Sequence, residues 1–230
     1  MKTRSFYKTA GIAGISSAIL YILSIIGLQA YLASSMDNMT AFTQNIIDSH
    51  TMMLLYGWPG IIATLLILPL MYVFYKLNKT SKHISKIVFL ITLLGLCFII
   101  IAYLFHLAFT YFYAPIHHTL EGDQHELYGV IIKSTVGLQD MFWLSGDIFA
   151  FLGIAIILML NLKEQIFPKW VLFFGILAGI LASIGSVSFI PAFKHIPGLS
   201  FIFIGGFSLF TIWEIIASVY LIRKSQELQQ

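Results

Sequence analysis

The stretch 136–160, VGLQDMFWLSGDIFAFLGIAIILML, decides the fold. A helix of about 20 apolar residues crosses the hydrocarbon of a bilayer, and this stretch exceeds that length while holding Asp147 well inside it. Asp140 lies seven residues earlier. At about 3.6 residues per turn such a step returns to nearly the same helix face, so both carboxylates are expected to point one way. A carboxylate facing lipid is costly, so that face should look at other helices or at a wet cavity. The sequence therefore reads as an all-α, polytopic membrane protein with a polar seam.

Working outward, five more apolar runs flank this one. The expected spans are about 9–35, 51–75, 87–113, 137–160, 170–192 and 201–222, a bundle of six helices forming a single membrane domain over 1–230. The first run follows Lys2, Arg4 and Lys8 as a signal peptide would. Its apolar part is too long, however, and no Ala-x-Ala-like site ends it, so it reads as a retained helix. Ala10, Gly14 and Ala18 give it a smooth stripe, and Gly175, Gly179 and Ser183 give another to the fifth run; such stripes let two backbones approach. Trp58-Pro59-Gly60 is expected to kink the second run. The stretches 37–50 and 114–135 read as polar connections. No self-similarity between 1–115 and 116–230 is strong enough to claim an inverted-repeat architecture.

Composition agrees. The chain of 230 residues is 59% hydrophobic and 10% charged, where a soluble domain carries about 25% charged residues. Most of its surface is therefore expected to face a lipid bilayer. The net charge of +3 forms no basic stripe, which excludes nucleic acid as a partner. The single cysteine, Cys97, rules out a disulfide framework. Charge placement sets the expected orientation. With the amino terminus in the cytoplasm, eleven of the thirteen Lys and Arg residues fall on the cytoplasmic side, leaving only Lys133 and Lys194 outside. Both termini are thus expected in the cytoplasm, across the plasma (inner) membrane.

Two short motifs carry a resemblance. Lys8-Thr9-Ala10-Gly11-Ile12-Ala13-Gly14 opens the first helix, and Phe167-Pro168-Lys169-Trp170 leads into Gly175-Ile176-Leu177-Ala178-Gly179. Together with the layout of the runs, they resemble an uncharacterised family of bacterial multi-pass membrane proteins known only as a domain of unknown function. The resemblance implies a bacterial inner-membrane helical bundle and brings no site residues with it.

Chemistry could reside in two places. One is the outer polar layer, where His50, His117, His118, His125 and His195 accompany Asp37, Asp48, Glu121, Asp123, Glu126 and Asp140. His106 lies close to it. Imidazole and carboxylate are ligands of catalytic zinc, so His50, His106, His117 and His125 are candidate ligands of a divalent metal such as zinc. His106, Thr110, Tyr113 and His117 track one helix face, although Pro115 is expected to break the helix before His117. No His-x-x-x-His pair is present, and His117 and His118 would point apart on a helix. The other place is the seam, lined by Asp140, Trp143, Asp147 and Glu214. Ionisable groups inside a membrane mark ligand and proton paths by default, and Trp143 could line a pocket for a cationic or amphipathic guest. Trp170, at a helix start, reads as an interfacial anchor.

No nucleotide-binding loop and no Gly-x-Ser-x-Gly elbow is present. The leading expectation is a non-enzymatic protein that handles a small solute or proton through an outward-facing seam. The alternatives are a metal-dependent membrane hydrolase using the histidines with Asp140, and a bundle that binds a helical partner through its glycine stripes.

Overall fold

Inside hydrocarbon an isolated segment satisfies every backbone N–H and C=O only as a helix, and each apolar run takes that form in the computed structural model. The structure describes residues 2–32, 38–79, 81–164, 167–189, 193, 196 and 198–227. Of the candidate residues, Asp37 and His195 lie outside the described residues. The described order is α1 (Lys2–Leu32), α2 (Met39–Asp48), α3 (His50–Leu66), α4 (Leu68–Leu77), α5 (Lys82–Ala108), a π-helical turn (Phe109–Tyr113) and α6 (Ala114–Thr119). Then come α7 (Gly122–Asp147), a second π-turn (Ile148–Leu152), α8 (Gly153–Asn161), α9 (Lys169–Gly185), a 3-10 turn (Ser186–Phe189) and α10 (Leu199–Glu227).

Among the described residues, six helical stretches are long and apolar enough to span a membrane: Arg4–Leu28, His50–Leu77, Lys82–Thr119, Gly122–Asn161, Lys169–Ser188 and Phe201–Glu227. Each packs on the next in chain order, and α10 packs back on α1, which closes a ring. Ile12, Ile19, Leu65, Leu94, Leu104, Phe173 and Ile212 are exposed on its outside, the face a bilayer would cover. Trp170 is exposed at the start of α9, where an interfacial anchor belongs.

Several local expectations are corrected. The fourth span begins at Gly122 rather than 137, and the third runs on to Thr119. These stretches contain 40 and 38 residues, about 60 and 57 Å at 1.5 Å per residue, so they form a hairpin reaching well beyond about 30 Å of hydrocarbon. Gly122 turns the hairpin with φ of 56°, a left-handed conformation that glycine adopts without strain. Pro115 does not end the helix. It sits in the first turn of α6, just after the π-turn, where its missing N–H matters least.

The stretch 37–50 is not a plain connection either. Asn38 caps α2 by accepting from the Ala41 amide at 3.1 Å. Phe42 and Ile46, four residues apart, are buried against Phe109, Ala114, Ile132 and Val136 of the hairpin. Pro59 lies inside an uninterrupted α3, and the break comes at Ile67, two residues before Pro69. Gly60 serves contact instead: a side chain there would strike the Tyr103 ring.

Close crossings hold the ring together. At the α5–α7 crossing, a Cβ on Gly95 would lie 2.8 Å from the Gly146 carbonyl oxygen, and one on Gly146 would lie 2.9 Å from the Ile99 nitrogen. The expected stripes are used within the chain. Gly14 meets Ser218 and Leu70, Gly175 meets Trp213 and Leu158, and Gly179 meets Phe151 and Ala155.

Candidate functional site

The interior face of α7 steps through Val136, Gln139, Trp143 and Asp147, all buried. Asp140 sits half-buried beside that face, so of the two acids only Asp147 enters the centre fully. The Trp143 ring stacks on Tyr56 at 6.2 Å and meets Tyr103 edge-on at 4.6 Å. Tyr56 and Tyr103 touch each other at 5.3 Å. Glu214 on α10 is wholly buried, and Tyr21 on α1 stands within electrostatic range of both Glu214 and Asp147. The second π-turn starts directly after Asp147; such turns recur at functional sites because they re-aim side chains inside a helix.

Hydroxyl protons of α1, α3 and α5 in this centre run toward α3. Ser24 donates to the Tyr56 carbonyl oxygen at 2.8 Å, so Tyr103, 3.3 Å away, donates to Ser24. Thr64 donates to the Gly60 carbonyl oxygen at 2.8 Å, so Tyr21 donates to Thr64 at 3.1 Å. Ser17, beside Glu214, donates to the Ala63 carbonyl oxygen at 2.9 Å. A hydroxyl has one proton to give, so Tyr21, Ser24, Thr64 and Tyr103 have none left for a carboxylate, and of these hydroxyls Ser17 alone comes within hydrogen-bonding range of Glu214. Asp147 Oδ2 and both Glu214 oxygens are buried without a hydrogen-bond partner, as are the Gln139 amide and the Ser218 hydroxyl. The Lys224–Glu227 ion pair lies at the end of α10, away from this centre. Buried polar atoms are normally paired, so this centre has unmet capacity for a guest that supplies protons or positive charge.

Apolar layers bound it at both ends. Toward the termini, Phe74 meets Phe167 at 4.7 Å and Trp213 at 5.6 Å, while Phe210, one turn before Glu214, meets Phe151, one turn after Asp147, at 4.9 Å. Toward the hairpin lies the α2 cluster of Phe42, Ile46 and Met53. With Asp147 and Glu214 buried at 2% and 0% exposure, the seam is occluded rather than outward-facing.

The four candidate metal-binding histidines do not converge. His106 is buried, donates from Nε2 to the Met53 carbonyl oxygen at 3.1 Å and packs on Tyr56 at 4.6 Å. His50 is exposed, 6.0 Å from the Tyr111 ring. His117 and His125 do meet, with ring centroids 3.9 Å apart across the hairpin, while His118 points outward. Among the described residues no three His, Cys, Asp or Glu side chains gather as a metal would need.

The family described as "Domain of unknown function (DUF4386)" matches residues 10–225. The chain belongs to this family. The match takes in all six candidate spans of the DUF4386 chain except short pieces at either end. No curated protein and no solved structure matches it.

Sequence reasoning missed several residues at the centre of this DUF4386 protein. Gln139 precedes Trp143 by four positions and Asp147 by eight, one helix face that was readable from the same stretch. Ser17, Tyr21 and Ser24 on α1 follow at steps of four and three, and Thr211, Glu214 and Ser218 on α10 at three and four. Both stripes are polar faces within apolar helices. Tyr56 and Tyr103 carried no such signal, since an aromatic within a span reads equally well as packing.

Proposed function

We propose that this protein passes protons or a small cationic solute across the plasma membrane, using Asp147 and Glu214 as the exchanging groups, with both termini in the cytoplasm. One observation carries the reading: two buried carboxyl groups keep oxygens without partners while the hydroxyl protons of Tyr21, Ser24, Thr64 and Tyr103 are committed toward α3. A carboxyl group that exchanges its proton or counter-cation only when water reaches it is suited to coupled movement. Trp143, Tyr56 and Tyr103 supply ring faces that favour a cation once it is dehydrated. Asp140, half-buried about two turns toward the hairpin, would receive the guest on its way. The occluded seam fits a resting state that opens on one side at a time, and the α2 cluster is the layer that would have to part on the hairpin side. The orientation is supported by the eleven-to-two distribution of basic residues.

The test is flux into proteoliposomes. Under an imposed gradient, vesicles holding the protein should acidify, or take up a small amine such as methylamine, faster than protein-free vesicles. Asp147→Asn and Glu214→Gln should bring the rate to the protein-free level. Parent protein indistinguishable from empty vesicles toward both probes would overturn the reading.

A further inference from the structure

The seam makes no use of the histidine pair at the hairpin end, where hydrogen bonds fix the tautomer of one ring. Thr43 Oγ1 donates to the carbonyl oxygen of Met39 or Thr40, at 3.1 and 3.2 Å. With its one proton spent, it can only accept from His117 Nδ1, 3.1 Å away. His117 therefore holds its proton on Nδ1 and presents a lone pair at Nε2. That atom is buried and has no hydrogen-bond partner, in a residue only 1% exposed. An imidazole whose one nitrogen donates to a fixed neighbour while the other stays bare is oriented as metal-binding histidines are.

A Cβ on Gly129 would lie 3.5 Å from His117 Nε2 and 3.4 Å from Met39 Cγ. The glycine thus leaves a gap bordered by an imidazole nitrogen and the side chain of Met39. His125, one turn before Gly129 on the same face of α7, holds its half-buried ring 3.9 Å from that of His117, tilted by 43°. Half-exposed, it can turn a nitrogen into the same gap. Thr43 and Met39 share one face of α2, four residues apart, so α2 supplies both the thioether and the hydroxyl that orients His117.

We propose that Met39, His117 and His125 bind a monovalent copper ion. The donors are two neutral imidazoles and a thioether, and among the described residues no thiolate or carboxylate forms a cluster with them. A thioether is a soft ligand that selects Cu(I), whereas zinc favours thiolate, imidazole and carboxylate in a tetrahedron. The site is separate from the seam, and its success or failure leaves the flux reading where it stands.

The full chain, purified in detergent and held under ascorbate, should be titrated with Cu(I) against a colorimetric Cu(I) chelator. One ion per chain is expected to withstand competition. Met39→Leu keeps the volume and His125→Phe keeps the ring, and each should lower affinity at least about tenfold. Thr43→Val, which frees the tautomer, should lower it about 10–100-fold as loss of a ligand-orienting partner does. X-ray absorption should find sulfur beside nitrogen around the copper, and the sulfur should vanish in Met39→Leu. Absence of competition-resistant Cu(I), equal affinity in Met39→Leu and parent, or tighter retention of Zn(II) than of Cu(I) would each overturn the proposal.

Discussion

Asp147 and Glu214 differ from most buried acids in what surrounds them. A charged residue at the centre of a membrane helix costs about 2.5–3.5 kcal/mol on insertion scales, and no lysine or arginine among the described residues pairs with either acid. A purely structural carboxyl would be expected to bridge two helices by hydrogen bonds, but Asp147 Oδ2 and both Glu214 oxygens bridge nothing. Asp147→Asn preserves the shape and removes the exchangeable charge. It should leave the thermal unfolding midpoint in detergent close to that of the parent while abolishing flux; unchanged flux would show that Asp147 only packs. Tyr21 offers a second test, because its hydroxyl donates to Thr64 and lies within range of both acids. Tyr21→Phe removes one hydrogen bond while Thr64 keeps its own bond to Gly60. The expected loss of stability is about 1 kcal/mol, and flux should fall by much more than stability. A loss of flux no larger than the loss of folded protein would remove Tyr21 from the path.

Helices meet here by backbone contact, and that makes individual glycines decisive. Gly95 on α5 and Gly146 on α7 lie against each other's main chain one residue before Asp147. Gly146→Val would push α7 off α5, and overpacking of this kind costs about 1–3 kcal/mol or more. Gly137→Ala, where an added Cβ meets nothing within 4 Å, should be neutral or stabilising by about 0.5–1 kcal/mol. Thermal unfolding of the two variants in detergent should separate them clearly, and equal midpoints would refute the close crossing. The six spans and the inward face of Asp147 were legible because hydrophobic run length and helical period report burial in a membrane directly. Element ends were less so. The polar residues after Gly122 suggested a loop, yet Ile132 and Val136 anchor them to α2, a tertiary contact that local composition does not encode. The break at Ile67 was likewise hidden, since both Pro59 and Pro69 could have made it. Partners such as Thr43 for His117 join residues 74 positions apart, and no spacing rule reaches that far.

At the scale of the whole molecule, the ring has two unlike ends. The end holding α4, α5, α8 and α10 termini carries Lys76, Lys79, Lys82, Lys163, Lys169, Arg223 and Lys224, and the Lys79 amide there donates to Glu164 at 2.8 Å to tie two connections together. The hairpin end carries the exposed acids Asp48, Glu121, Asp123 and Glu126. Basic residues in short connections are retained on the cytoplasmic side during insertion, whereas acids have little influence. The asymmetry supports the proposed orientation, in which the termini lie inside and the hairpin, α2 and the paired histidines outside. Single cysteines test this in a Cys97→Ala background, since the native thiol is exposed on the ring. In intact cells a membrane-impermeant maleimide should label Gln124→Cys and Asp48→Cys, and it should label Lys163→Cys and Lys79→Cys only after the membrane is opened. The reverse pattern at both ends would invert the molecule, place the Met39–His117–His125 gap in the cytoplasm, and require the flux through Asp147 to be measured from the opposite side.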